Sequence, residues 1–566
     1  MPSVNIPQRW FWGGVLALLA LMGALQALSV RQESQTFDEG AHLAAGYSYW
    51  KTGDFRLNPE HPPLGKLLNA IPLLFLNPDL PLNHPAWEAA DGVRFGREFL
   101  YHNRIPADTM LFAARMVTVA CTLFMGVALA WWTRKRFGAP AAILAVWFFA
   151  FDPNVIAHGR YVTSDLFVTF FSFLACIFFG EYLLDARKRD RWVAGVAAGL
   201  ALASKFSAVF LLPVFALLFW LRHREDPAHV KTSEAAQTAA AVLIASSLVV
   251  ALTYSVPAKR RPGHAMNRVT HTQPWNPNTL HGKVLSFLND RFRLPPWSYP
   301  AALGLVADHD TTGHPSYLFG RRSQRGWWYY FPLAFLVKAP AALLLALLAF
   351  LVLFALRRER PLPFAYWVAI IPILVYGWFT IGSRINIGIR HLLPVFPFLF
   401  ALLGAGLTRW SWRGRAIAIP LLTTMLAAES LAIYPHYLAF FHFICGGPAN
   451  GPKYLVDSNI DWGQDVIKLK RHLDQRGVKT FWICYFGSAE LEYYGLEALS
   501  LPPERELGDT SKFDGVIAMS VTPLQGVYVP PEDFAWLRKR TPDAKVGYSI
   551  YVYDLRKLKG STPATK

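Results

Sequence analysis

The chain has 566 residues, of which 53% are hydrophobic, 15% aromatic and only 17% charged, a balance richer in apolar residues than soluble domains carry. Its formal net charge is +18, but the basic residues stand in short clusters between apolar runs, as at Arg134 to Arg136, Arg187 to Arg189, Arg357-Arg358 and Arg409 to Arg415. That arrangement reports membrane topology and argues against nucleic acid as a partner. Four cysteines offer no disulfide framework: Cys121 and Cys176 lie in apolar runs, and whether Cys445 and Cys484 pair is left open.

In chain order, apolar runs of the ~17–25 residues needed to cross a bilayer lie near 11–30, 109–133, 139–157, 163–184, 236–256, 331–356, 363–381, 391–408 and 416–433. Residues 11–30 read as a retained first helix rather than a signal peptide, because the small-residue cleavage pattern is weak and many similar runs follow. The run 192–222 is too long for one crossing and basic at both ends, so it divides into two short helices meeting near Ser204-Lys205. The chain is therefore expected to be a polytopic α-helical membrane protein with about eleven transmembrane helices.

With the N-terminus in the cytoplasm, the clusters at 134–136, 187–191, 222–231, 357–360 and 409–415 all fall on the cytoplasmic side. The first loop, 31–108, a long loop, 257–330, and the tail after 434 then lie outside, and Lys259-Arg260-Arg261 becomes an outer basic run tolerated in a long loop. After Pro435 the tail alternates strand-like "KTFWICYFG", "GVIAMSVTP" and "VGYSIYVYDL" with helix-like "DWGQDVIKLKRHLDQRG" and "PEDFAWLRKR". This predicts a transmembrane domain over 1–435 and a small extracytoplasmic α/β domain over 436–566.

Charge gathers on the outer face. Asp38 and Glu39 follow the first span with no basic residue beside them, and carboxylates at the edge of hydrocarbon are costly unless solvated, paired or used. One of them suits a general base, and His42 stands one helical turn beyond Asp38, toward the same cavity. In "NPEHPPLGK", two prolines stiffen a turn bearing Glu60 and His61, and Lys66 opens a short apolar helix within reach of a phosphate. Further outer turns hold Asp152, His158, Arg160 and Asp165, then Arg384, Arg390 and His391, while "DHDTTGHPSYLFGRRSQRGWWYY" carries Asp308, His309, Asp310, His314 and three arginines. Lys205, with aliphatic neighbours, requires an anion. Acids that activate a nucleophile and cations that hold a phosphate are what transfer from a lipid phosphate donor needs. Glu60, His61, His309 and His314 are oxygen and imidazole ligands for a divalent metal, although their separations specify no geometry.

"FDEGAHLAAGY" and "HPPLGK" resemble the acidic first-loop motif and the downstream segment of protein O-mannosyltransferases, and "GWWYYFPLAFLVKAP" with the Glu-x-Pro-Pro segment resembles the lipid A aminoarabinose transferases. Both are GT-C glycosyltransferases that use polyprenyl or dolichyl phosphate sugars. The resemblance implies a GT-C fold over about 10–435 and a bacterial inner-membrane enzyme with an outer active site. It implies Asp38 as catalytic base with Glu39 its acidic neighbour, inversion at the sugar C1, and Lys66, Lys205 and Arg390 on the donor phosphate. It associates Glu60 and His314 with a metal, although His61 stands where the lipid A enzymes have lysine. The partners it implies are a polyprenyl phosphate sugar, the bilayer and a protein, lipid or glycan acceptor. His42 and Asp165 are expected on the substrate side.

The tail departs from both relatives. "YPHYLAFFHFICGGPANGPKYLVDSNIDWGQD" resembles a signature of family-39-like bacterial glycosyltransferases; its Asp457, Asp461, Trp462, Gln464 and Asp465 suit acceptor contact, with Asp461 and Asp465 as caps of the next helix the plainer reading. The alternative function is a transporter or flippase of a lipid-linked saccharide, which would place charge at midplane in broken helices of two related halves; the sequence shows neither related halves nor charges in the middle of most spans.

Overall fold

The apolar runs fold as helices, and their breaks fall where proline, glycine or charge interrupts them. The computed structural model describes residues 6–227, 234–255, 298–356, 362–410, 412–507 and 514–556. Lys259 to Arg261, Arg357-Arg358 and the terminal "GSTPATK" lie outside the described residues. Among the described residues, eight helices are long and apolar enough to cross a membrane: Gln8–Val30, Ala107–Phe137, Asp165–Asp185, Phe206–Glu225, Ala235–Ser255, Phe364–Gly382, Ile389–Arg409 and Arg415–Ala432. The protein is a multi-pass α-helical membrane protein.

The expected count of about eleven spans meets three differences, one of them that Lys188–Leu202, the first half of the run 192–222, is not among the eight. The run 331–356 is two helices, Tyr330–Lys338 and Ala341–Leu356, bent by 114° across Ala339-Pro340, because proline lacks the amide donor and its ring disfavours helix at the preceding residue. The run 139–157 is also divided: Ala139–Phe151 stops at Asp152, whose carboxylate accepts from the amides of Asn154 and Val155 and starts a new turn over Pro153–His158. Asp152 is thus a helix cap rather than part of an outer acidic site. The long run 192–222 does break where the sequence indicates, between Lys188–Leu202 and the helical segment from Phe206.

Two spans, Asp165–Asp185 and Ile389–Arg409, are the most deeply buried of the eight and form the centre of the bundle. In the first loop, helices Glu39–Thr52 and Gly92–Tyr101 pack closely on each other and against the span Ala107–Phe137. Glycine permits this closeness: a Cβ on Gly46 would stand 2.1 Å from the Lys66 carbonyl oxygen, and one on Gly96 2.6 Å from the Gly40 carbonyl carbon.

In the long loop, helix Ser298–Thr312 is followed by a hairpin of β1 (Ser316–Leu318) and β2 (Arg321–Ser323). The tail builds a five-stranded sheet from β3 (Thr480–Cys484), β4 (Glu497–Ser500), β5 (Val516–Ser520), β6 (Ala544–Val546) and β7 (Ile550–Asp554), in the order β4-β3-β5-β7-β6. β3 runs parallel to β4 and β5, and β5, β7 and β6 are antiparallel. The central strands β5 and β7 are buried on both faces, whereas the edge strand β4 is largely exposed. Along β5, Ile517 and Met519 join the core of the spans, while Val516 and Ala518 join a second core shared with Tyr47, Phe95 and Leu100 of the first loop.

The tail is also embedded ahead of its sheet. Lys338 Nζ donates to the carbonyls of Leu438 and Asn459 at 2.8 and 2.6 Å, and Asn459 Oδ1 accepts from the Ile389 amide at 2.9 Å. Residues 436–465 therefore pack as part of the helical body, and the layered α/β fold begins at helix Val466–Gln475. All four cysteines are free thiols.

Candidate active site

Four charged side chains meet where four helical segments begin. Asp38 precedes Glu39–Thr52, Asp165 opens Asp165–Asp185, Lys205 precedes Phe206–Phe210, and Arg390 lies in the tight turn that opens Ile389–Arg409. Asp38 occupies the N-cap position but makes no side-chain cap bond. Its Oδ2 instead accepts from Arg390 Nη1 at 3.1 Å; the same nitrogen reaches Asp165 Oδ2 at 3.3 Å, and Asp165 Oδ1 meets Lys205 Nζ at 2.5 Å. The result is an alternating chain of two acids and two cations, and its ends, Asp38 and Lys205, keep side-chain exposures of 25% and 15%.

Trp462 supports this chain from below. Its indole is buried under the Arg390 guanidinium, 4.3 Å from ring centre to Cζ, with the rings of His158 and Tyr161 edge-on to it. The expected contact between Trp462 and acceptor gives way to this packing. Arg390 Nε and His391 Nε2 are buried and make no hydrogen bond, leaving two polar nitrogens without protein partners beside the carboxylates. The His42 ring packs edge-on to that of His61 at 5.2 Å; burial, more than the nearby Asp38 charge opposing it, pushes His42 down to about 4 and His61 well below its usual range. Both imidazoles are neutral at pH 7.

The other residues singled out by sequence have different surroundings. Glu39 is fully buried: Arg115 donates to both carboxylate oxygens at 2.8 and 2.6 Å, and the amides of Thr36 and Val162 supply two more bonds. With its lone pairs engaged, Glu39 fixes the loop and presents nothing to a substrate. Lys66 is also buried, and its Nζ is tied to Tyr49 Oη, Asn58 and the His61 carbonyl, so it clasps the proline-rich turn instead of reaching a phosphate. Both ends of Gln464 bond within its own loop, to the Trp462 amide and to Ile460 and Asp465. Asp461 Oδ2 accepts from the Thr522 amide at 3.0 Å while Oδ1 is buried without a partner, and burial pushes its carboxyl up to about 8. Asp465 sits at the start of Val466–Gln475 without capping it, bonded to Lys468 and Ser549 instead.

The residues expected to hold a metal do not assemble. Glu60 is exposed, whereas His314 meets His309 at 3.1 Å and Tyr528 at 2.9 Å. Among the described residues, no group of three or more His, Cys, Asp or Glu is arranged to hold an ion.

Several residues of the site escaped the sequence reading. Glu33, buried, pairs with Arg160 at 2.8 Å and accepts from Tyr161 Oη at 2.8 Å, while Arg115 binds Glu39 and the carbonyls of Val30, Glu33 and Ser34. Arg115 stands among apolar residues near a span end, where a single charge is indistinguishable from a snorkelling one, and Glu33 lies in the polar stretch Arg31 to Thr36, where it reads as a solvated loop residue. Tyr528 lies near the end of the chain with no motif around it.

Residues 105–252 match the family model described as dolichyl-phosphate-mannose-protein mannosyltransferase. That stretch includes Asp165 and Lys205 and stops short of Asp38 and Arg390 at either side. Among solved structures, the chain is similar to ArnT from Cupriavidus metallidurans bound to undecaprenyl phosphate, at 14% identity and TM-score 0.47, over 95% of this chain and 97% of that one. It is also similar to the archaeal oligosaccharyltransferase AglB from Archaeoglobus fulgidus in complex with an inhibitory peptide and a dolichol-phosphate, at 13% identity and TM-score 0.42, over 94% and 72%. A shorter similarity, 45% of this chain and 34% of the other at 17% identity and TM-score 0.33, is to the S. cerevisiae protein O-mannosyltransferase Pmt1-Pmt2 complex bound to the sugar donor. No curated protein matches the chain.

Proposed function

We propose that the protein is a membrane glycosyltransferase that moves a sugar from a polyprenyl phosphate to an acceptor hydroxyl outside the cytoplasm, with inversion at C1. The observation that carries this reading is the chain Asp38, Arg390, Asp165, Lys205, which sets an accessible carboxylate beside cations at the mouth of the central spans. The family match over residues 105–252 supports it.

In this reading Asp38 takes the acceptor proton as the oxygen attacks C1, and the bond from C1 to the phosphate oxygen breaks. Arg390 and Lys205 receive the phosphate. The charge balance favours this order of events: resting Asp38 holds Arg390, and protonation of Asp38 weakens that hold as the leaving phosphate gains a negative charge. The partnerless Arg390 Nε is an additional donor for a phosphate oxygen. Asp165 keeps the two cations together, and the neutral His42 offers a hydrogen bond without adding charge. Bacterial inner-membrane residence, with the N-terminus cytoplasmic and the tail outside, belongs to the same proposal.

The test compares wild type with Asp38→Asn for release of free polyprenyl phosphate from a panel of polyprenyl phosphate sugars, with membrane extract supplying acceptors. Release by wild type that vanishes in the folded variant supports the reading, and equal release removes Asp38 as base. Absence of release with saccharide movement across proteoliposomes would replace the transferase by a transporter.

A further inference from the structure

Tyr528 is drawn into the site from the far end of the chain. Its hydroxyl donates to Asp457 Oδ2 at 2.5 Å and lies 2.9 Å from His314 Nε2, whose Nδ1 is 3.1 Å from His309 Nε2. With Tyr528 donating to the carboxylate, His314 Nε2 carries the hydrogen toward the phenol oxygen and Nδ1 accepts from His309, so every bond has one donor. The phenol is thereby fixed between the long loop and the segment before the sheet.

The ring is fixed as well. Phe486 stacks on it at 5.2 Å and 7°, and Phe486 in turn stacks on Phe37 at 5.5 Å and 20°, the residue immediately before Asp38. The hairpin clamps the preceding residues: Arg322 Nε donates to the Gln525 carbonyl at 2.5 Å, and Tyr317 Oη donates to Gln525 Oε1 at 3.2 Å. Two further observations distinguish this arrangement from ordinary packing. Tyr528 and Asp457 both take left-handed backbone conformations, at φ of 66° and 58°, which are uncommon away from glycine and concentrate at functional sites. Tyr528 also remains 43% exposed although one ring face is covered and its hydroxyl is engaged. The ring stands near the charged chain by two routes: the Phe486 and Phe37 stack leads to the residue before Asp38, and Ser458, next to Asp457, donates through Oγ to the Ile387 carbonyl at 2.8 Å, three residues before Arg390.

We propose that the exposed face of Tyr528 is a carbohydrate platform, on which the C–H face of a pyranose or furanose ring stacks beside Asp38 while Asp457 and His314 hold the tyrosine in place. Trp462, the indole that the sequence marks for this role, is buried under Arg390, and the exposed aromatic surface at the site comes from the C-terminal module. The inference rests on the transferase reading for what becomes of the sugar, but the binding it asserts is independent of turnover. The ring belongs either to the donor or to a glycan acceptor.

Saturation-transfer difference NMR on the full-length, detergent-solubilised protein tests the platform, with methyl glycosides of mannose, glucose, galactose and arabinose as probes. Wild type and Tyr528→Phe should transfer saturation to the ring C–H protons of at least one probe, and Tyr528→Leu should weaken that transfer about fivefold to tenfold, the range expected for loss of an aromatic stack. Asp38→Asn should retain the transfer even where it abolishes turnover, which separates failure of this inference from failure of the transferase reading. Circular dichroism confirming that Tyr528→Leu is folded completes the comparison. No transfer to any probe in wild type, or equal transfer in Tyr528→Leu, overturns the platform. If turnover is measured, a rise confined to the donor KM in Tyr528→Leu assigns the ring to the donor, and a rise confined to the acceptor KM assigns it to the acceptor; unchanged KM for both overturns the platform.

Discussion

Asp38 and Glu39 are adjacent carboxylates with opposite fates. Glu39 belongs to a closed network with Arg115, where carboxylate and guanidinium are buried and matched; the neighbouring pair Glu33 and Arg160 is equally buried, although Arg160 Nε has no partner. Asp38 belongs to an open network in which one guanidinium nitrogen serves two acids, one guanidinium Nε has no partner, and both ends reach solvent. The difference is that a saturated ion pair can only hold structure, whereas an undersaturated chain of charges can exchange partners with a substrate.

The sharpest separation of the two networks is Asp38→Asn. Loss of a general base predicts a fall in turnover of about 10²–10⁴-fold with an unchanged melting temperature; unchanged turnover would leave the open network without its assigned role. On the closed side, Glu39→Gln leaves the buried Arg115 charge uncompensated and should cost about 3–5 kcal/mol in stability, measured as a loss of folded protein on heating. Arg115→Met added to Glu39→Gln should recover part of that loss, which a catalytic role for Glu39 would not produce.

Arg390→Lys is a smaller perturbation. It keeps the charge while removing the planar fork, and should raise the donor KM by roughly tenfold with a lesser effect on melting. The mildest prediction concerns Asp461, whose carboxyl is raised by burial from 3.8 to about 8. A raised folded-state value means that the stability it contributes is complete below 3.8 and is lost as pH rises through 8. Asp461→Asn should therefore flatten the decline of melting temperature across that interval, and an unaltered decline would show that another group titrates there.

The sequence made the helical membrane body legible because hydrocarbon demands long uncharged runs, and it drew attention to Asp38, Asp165, Lys205 and Arg390, which the fold brings into contact, because charges at span ends are conspicuous. The bend at Ala339-Pro340 was less legible, since an apolar run looks continuous across a single proline. β4 and β6 were missed because each has only three or four residues, too few for an alternation to register.

Residue type and position thus determined the membrane class, the break before Lys205, the α/β character of the tail and which acids and bases stand at span ends. Tertiary structure alone decided how each was employed. Glu39, Lys66, Trp462 and Gln464 have the chemistry of site residues, yet their polar groups or rings are engaged by Arg115, the proline-rich turn, Arg390 and their own loop. Tyr528, without a motif to mark it, is brought against Asp457, His314 and Phe486 through folding. Partner choice depends on distances between segments hundreds of residues apart, and local spacing in a sequence carries no record of those distances.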